Sequence, residues 1–228
     1  MSIIEQRSPE WYAQRLGKVT ASRISDMLAK TKDGWGAGRA KYLSELATER
    51  ISNEPMPEGF KSAAMIAGTE MEPKARLAYE LQEGEVVTQV GFVPHPTIGM
   101  SGASPDGLVG DHGLVEIKCP DIHTHYANIK GASVSRAYDL QRQWQLACTQ
   151  RKWCDLVSYN EKAQPPVLRM DIRRCWRNDK LIAEVEAEVI KFLREVDLEV
   201  EKLLAIARRR GWEPPPAINP DLPIIAAG

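Results

Sequence analysis

The sequence has no C-x-x-C pair. Its four cysteines, Cys119, Cys148, Cys154 and Cys175, are widely spaced, which excludes a zinc ribbon and offers no disulfide framework. No apolar run approaches the roughly 18 residues that span a bilayer, and residues 1–7 lack the apolar stretch of a signal peptide. A soluble, cytoplasmic protein without a membrane partner is expected. No internal repeat is apparent. Charge of one sign is also missing: 30 Lys and Arg face 31 Asp and Glu, a net charge of −1, which counts against a nucleic-acid partner until the charge is mapped. Residues 184–201 hold seven acids against Lys191 and Arg194, so the remainder of the chain is net basic and can offer a basic working surface.

What is present fits one globular α/β domain. The chain has 228 residues, 43% of them hydrophobic and 27% charged, which sets aside disordered, collagen-like and coiled-coil classes. The first 83 residues have helical spacing, interrupted by a glycine-rich basic segment at 30–39 that is expected to be a mobile loop. A helix over about 62–82 must accommodate Pro73. Strand patterns follow at 86–93, 99–103, 107–109 and 114–118, then a helix at 135–150, strands at 153–159 and 167–173, and a long amphipathic helix ending at Arg208-Arg209-Arg210-Gly211. One domain over 1–211 is expected, followed by a proline-rich extended tail over 212–228.

The chemistry concentrates in Ser104-Pro105-Asp106-Gly107 and Glu116-Ile117-Lys118-Cys119-Pro120. Alone, the first is an ordinary turn and the second the solvent face of an edge strand. Together they are more specific, because residues two apart on a strand share a face. Glu116 and Lys118 then project together while Asp106 begins the preceding strand of a hairpin. Two carboxylates suit a hard divalent ion such as Mg²⁺, with Mn²⁺ able to substitute, and the adjacent lysine suits metal-assisted hydrolysis. Cys119-x-x-x-His123-x-His125 lacks the fourth ligand that a zinc site needs.

These segments resemble the PD-(D/E)-x-K nuclease superfamily, and within it the phage lambda exonuclease type of viral recombination nuclease. The resemblance also covers Trp11-x-x-x-Arg15-Leu16-Gly17-x-x-Thr20-Ala21-Ser22, Gly68-x-x-x-Glu72-x-x-Ala75-Arg76 and Gln141-x-Gln143, spanning residues 11 to about 160. It implies a restriction-endonuclease-like α/β core, a mixed β-sheet flanked by helices, with the site at the sheet edge. It implies Asp106, Glu116 and the Ile117 carbonyl as metal ligands, and Lys118 as the residue that orients or deprotonates water. Glu72 would hold metal-bound water and Gln141 would support the nucleophile or Lys118. Arg15 and Ser22 would bind a 5′ phosphate; Trp11, Met65 and Gln143 would contact DNA.

The function implied is a Mg²⁺-dependent 5′→3′ exonuclease on double-stranded DNA that releases 5′ mononucleotides and leaves 3′ single strands for recombination. The partners implied are duplex ends with a 5′ phosphate, a single-strand annealing protein and two further copies of the chain in a ring-shaped homotrimer. A site-specific endonuclease would lack the phosphate pocket. A catalytically silent DNA-binding protein would lose Asp106, Glu116 or Lys118, and all three are present. Lys30, Lys32 and Arg39 are candidates for the basic lining, with the acidic helix facing away from DNA.

Overall fold

The computed structural model describes residues 4–32, 34–57 and 63–213. The side chain of Met65, a DNA-contact candidate, and the tail from 214 onward lie outside the described residues. The N-terminal third comprises α1 (Pro9–Arg15), β1 (Val19–Thr20), α2 (Ile24–Met27), β2 (Lys30–Thr31), β3 (Gly34–Trp35), α3 (Ala37–Ser52) and α4 (Ala63–Glu83). The Ser8 side chain caps α1 by accepting from the Trp11 N–H at 3.2 Å, with Pro9 in the first turn where no N–H is missed.

The segment expected to be a loop is instead an antiparallel β2–β3 hairpin running into α3. Its anchor is Arg39, 3% exposed, whose guanidinium lies over the rings of Trp35 and Phe192. The same group donates to the Met27 carbonyl at 2.8 Å and pairs with Glu195 on the C-terminal helix at 2.7 Å. Arg39 therefore serves the core and is withdrawn from the DNA-lining candidates. Pro73 stays inside α4, because burial of Ala75 and Tyr79 outweighs the single backbone hydrogen bond that proline forgoes.

The second part contains β4 (Val87–Thr88), β5 (Val93–Pro94), β6 (Ser101–Ala103), β7 (Gly107–Val109), β8 (Gly113–Lys118), α5 (Ile122–Ile129), α6 (Arg136–Thr149), β9 (Trp153–Tyr159), β10 (Met170–Trp176) and α7 (Asp179–Arg209). Five strands form the central sheet in the order β10-β9-β8-β7-β4, with β8 and β9 parallel and the other pairs antiparallel. A smaller sheet runs β1-β6-β5. The single strand expected over 86–93 is split between the sheets. Between its halves, the Gln6 amide donates to the Val90 carbonyl at 2.9 Å, a place a neighbouring strand would otherwise take. The last strand begins at Met170 rather than 167, because Pro166–Leu168 forms a 3₁₀ turn.

Alternation along β8 divides its side chains between two cores. Val115 and Ile117 pack with Ala75 and Tyr79 of α4 and Val157 of β9. Leu114 faces the larger core, which contains Trp144 and Leu146 of α6 with Val189, Phe192 and Val196 of α7. Glu116 and Lys118 share the Leu114 face. They lie on the middle strand of five, so the site is central and not at the sheet edge as the sequence suggested. The parallel β8–β9 pairing causes this, since it adds β9 and β10 beyond the hairpin.

Candidate active site

Glu116 is 2% exposed, and both carboxylate oxygens are held. Oε1 accepts from Lys118 Nζ at 2.5 Å and from Gln141 Nε2 at 2.6 Å, while Oε2 accepts from Gln145 Nε2 at 2.6 Å. Gln141 and Gln145 lie one turn apart on α6, which places both amides on one helix face above the strand. Ser135 fixes that helix by accepting from the Tyr138 N–H at 3.3 Å. Charge-assisted hydrogen bonds of this kind are about twice as strong as neutral ones, so the carboxylate plane is firmly oriented.

Asp106 precedes β7, and its Oδ2 accepts from the Ile117 N–H at 2.6 Å. Burial holds its carboxyl well above the usual carboxylate range; the charge of Glu116, and less strongly that of Glu72, adds to the effect against Lys118 and the Ile117 N–H. The Lys118 ammonium is pulled down by burial, yet Glu116 and Asp106 more than offset this and raise its pKa. Lys118 in this state is a firmly held acid, suited to orient water and stabilise developing negative charge. The Cys119 thiol is pushed up to about 12, mainly by burial and then by Glu72 and Asp106, so it is inert. A cavity of about 200 Å³ opens beside Lys118, lined among others by Asn128, Val134, Tyr138 and Leu156.

Glu72 approaches from α4. Its Oε2 accepts from Arg7 at 2.8 Å and its Oε1 from Arg76, one helical turn away, at 3.0 Å. Trp11 and Arg15 project from α1 onto Ser104, two residues before Asp106. The Ser104 hydroxyl accepts from Trp11 Nε1 at 2.9 Å and from Arg15 at 3.2 Å, and the Arg15 guanidinium carbon lies 4.1 Å from the centre of the Trp11 ring.

Asp106, Glu116, Lys118 and Gln141 are therefore brought together, with Ile117 in the same strand and Glu72 alongside. Trp11 and Arg15 form an adjoining cluster. Two expected residues stand differently. Gln143 is buried on another side of α6, donating to the Trp176 carbonyl at 2.8 Å and accepting from the Asn178 N–H at 2.9 Å, so its amide joins α6 to β10 and α7 and is not available to DNA. Ser22 is exposed, but it sits in the three-residue turn Ala21–Arg23 before the four-residue α2, too short for a strong helix-terminus field. Ser104 and Arg76 stood in the quoted motifs without a role of their own, and Gln145 and Arg7 were not singled out by sequence reasoning. Gln145 had a signal, four residues beyond Gln141; Arg7 had none.

Among the described residues no three His, Cys, Asp or Glu side chains are arranged to hold a metal by themselves. His125 in particular has Ser158 Oγ 2.9 Å from Nδ1 and the Leu168 carbonyl 2.7 Å from Nε2, leaving neither nitrogen for zinc. Among the described residues, no helix is long and apolar enough to cross a membrane.

A mixed sheet flanked by helices, with Asp106, Glu116 and Lys118 converging on its middle strand, is the fold of PD-(D/E)-x-K nucleases of the lambda exonuclease type. Residues 10–152 match the YqaJ-like viral recombinase domain, and the chain belongs to that family. Over 89% of its length it is 47% identical to an alkaline exonuclease, LHK-Exo, from Laribacter hongkongensis, all of whose chain is covered, with a TM-score of 0.81. LHK-Exo in complex with dAMP is similar at 46% identity over the same shares, with a TM-score of 0.82. A phage-related exonuclease from Haemophilus somnus 129PT shares the fold, at 16% identity over 82% of this chain and 96% of that one, with a TM-score of 0.66. No curated protein matches the chain. The family and these relatives together support a nuclease that acts in recombination.

Proposed function

We propose that the chain is a Mg²⁺-dependent 5′→3′ exonuclease that enters duplex DNA at 5′-phosphorylated ends, releases 5′ mononucleotides and leaves 3′ overhangs for strand annealing. One observation carries the reading: the Ser104 hydroxyl bound by Trp11 and Arg15 is two residues from the Asp106 carboxylate, so a guanidinium flanked by neutral hydrogen-bonding groups adjoins the carboxylate site.

The donor set fits a hard divalent ion. Burial and two neighbouring carboxylates raise the pKa of Asp106 well above the usual carboxylate range, an opposition to its charge that a cation would relieve, and the candidate ligand atoms are all oxygens. Asp106, Glu116 and the Ile117 carbonyl would hold the ion, which supplies Lewis acidity toward phosphoryl oxygens and makes water more acidic. Gln141 and Gln145 orient the Glu116 carboxylate. Lys118 positions the attacking water and stabilises the charge developing on the phosphate. Glu72 shapes the outer edge of the site through Arg7 and Arg76. Arg15, with a planar fork suited to phosphate oxygens, receives the terminal phosphate beside Ser104, and the exposed Ser22 lies on the same N-terminal segment.

In the same reading residues 1–211 form the nuclease domain and 212–228 an appended tail. Three copies form a ring around DNA in the bacterial cytoplasm and hand the 3′ strand to an annealing protein. The test is digestion of linear duplexes with 5′-phosphate or 5′-hydroxyl ends, beside a covalently closed circle, with Mg²⁺ or chelator. Loss of mononucleotides from 5′-phosphate ends, slower loss from hydroxyl ends and an intact circle are expected only with Mg²⁺. Arg15→Ala should slow phosphorylated ends roughly 10- to 150-fold, the range for a hydrogen bond to a charged group, and hydroxyl ends much less. Cutting of the circle, or equal loss on both ends, would overturn the polarity and the pocket.

A further inference from the structure

Arg7 is an unexpected residue for its backbone. Its φ is 72°, in the left-handed region where glycine is at ease and a side chain is disfavoured. Strain of this kind persists where a side chain is needed in a particular place. The Arg7 side chain, 44% exposed, donates to Glu72 at 2.8 Å, and the neighbouring Gln6 amide donates to the Pro105 carbonyl at 2.8 Å, which ties this segment to the residue before Asp106. Burial draws its pKa down, but the bond and charge of Glu72, and then the charge of Asp106, more than offset this, which places the guanidinium within electrostatic reach of both acids.

Glu72 does not depend on Arg7. Its other oxygen is bound by Arg76, 13% exposed and one turn along the same helix, so Glu72 keeps a counter-ion if Arg7 leaves. Arg7 also differs from Arg15, which is engaged with Ser104 and the Trp11 ring. Lys118, a further nearby cation, is held by Glu116. Arg7 is thus a cation at the solvent side of the carboxylates, with an exposed stem and a partner that can spare it.

We propose that Arg7 binds the scissile phosphodiester, exchanging the Glu72 carboxylate for a non-bridging phosphate oxygen when duplex DNA occupies the site. The proposal rests on the reading of this site as the nuclease centre. A divalent cation among Asp106 and Glu116 would repel the guanidinium, and the incoming phosphate offers it two oxygens in a matching plane. Its place beside Asp106, rather than beside Ser104, assigns it to the bond being cut and not to the terminal phosphate.

Arg7→Gly is the cleanest variant, since it removes the guanidinium while suiting the left-handed backbone; Arg7→Lys keeps the charge without the fork. Equilibrium binding to short blunt duplexes carrying 5′-phosphate or 5′-hydroxyl ends is measured with Ca²⁺ in place of Mg²⁺, over a range of salt. Arg7→Gly should weaken binding roughly 10- to 150-fold on both ends, the range for a hydrogen bond to a charged group. The slope of log affinity against log salt should become shallower by about 0.9, the value for one phosphate contact. Arg7→Lys should recover part of the affinity and the whole slope. The melting temperature of Arg7→Gly should equal or exceed that of the wild type. Unchanged affinity and slope, or a loss confined to 5′-phosphate ends, would overturn the proposal; so would a lower melting temperature with unchanged binding. Failure of the wild type itself to digest linear duplexes would instead overturn the nuclease reading.

Discussion

Asp155, within the central sheet, and Asp106, just before one of its strands, have opposite fates. Asp155, on β9, is fully buried, but Tyr79 donates to it at 2.8 Å and Arg174 donates through two nitrogens, both at 2.8 Å. Its charge is neutralised and its acceptor sites are filled. Asp106 has one N–H from Ile117 and faces Glu116 and Glu72, so its charge is opposed as much as supported. A carboxylate matched with its own counter-ion holds a fold together, whereas one crowded by other carboxylates is suited to take up a cation. The α3–α7 seam repeats the first pattern, since Arg39 pairs with Glu195 and Arg50 with Asp197. Three acids of the run at 184–201 therefore have partners on other elements, the third being Glu186, engaged by His95 at 3.2 Å.

The sharpest way to break the comparison is to exchange the fates of these acids. Asp106→Ala and Glu116→Ala should each lower the initial rate on linear duplex about 10³-fold or more, the scale of several kcal/mol of metal-dependent stabilisation, while circular dichroism stays native. More than a few per cent residual activity in either purified variant would remove it from the metal set. Arg174→Met should act on stability instead. It leaves Asp155 buried without its cation and should cost about 3 kcal/mol in denaturant unfolding, the low end for a broken buried pair because Arg174 is 40% exposed. Its activity per folded molecule should match the wild type.

Gln145→Leu falls between these cases. It removes the donor from Glu116 Oε2 and should lower both metal affinity and rate by roughly 10-fold or more, the low end for a hydrogen bond to a charged group, with calorimetric Ca²⁺ titration reporting the first effect directly. A normal Ca²⁺ affinity would show that Gln141 and Lys118 orient Glu116 unaided.

The smallest effect concerns pH. The folded pKa of Asp106 is raised above its unfolded value, so its neutral form contributes stability that is fully present below about pH 3.9 and lost as pH rises through the folded pKa. In chelator at pH 8, Asp106→Asn should therefore melt above the wild type, at about 2–4 °C for each kcal/mol of relieved repulsion, and the gap should narrow toward pH 5. Excess Mg²⁺ should raise the wild type and leave Asp106→Asn almost unmoved. A gap that does not change with pH would mean that the asparagine acts through packing.

Much of the site was legible in local sequence because its spacing is local. Glu116 and Lys118 share a face through the two-residue period of a strand, Asp106 reaches them across a short hairpin, and Gln141 is borne by a strongly patterned helix. The strands at 107–109 and 153–159 and the helix at 135–150 were likewise recoverable from periodicity and their bounding turns. Segments with long-range partners were not. The hairpin at 30–35 and the buried Arg39 depend on Phe192 and Glu195, more than 150 residues away, which no window around Gly34 contains.

Residue type at short spacing was enough to bring two carboxylates and a lysine together as a set suited to metal-assisted hydrolysis, and the resemblance to PD-(D/E)-x-K nucleases added the class of substrate. Tertiary structure alone decided which charges are free to act. Parallel pairing of β8 with β9 moved the motif to the middle of the sheet, α6 brought Gln145 onto Glu116, and the N-terminal turn carried Arg7 to Glu72, 65 positions away. A side chain's counter-ion is set by proximity in space, and burial makes that counter-ion decisive by removing the water that would otherwise screen both charges.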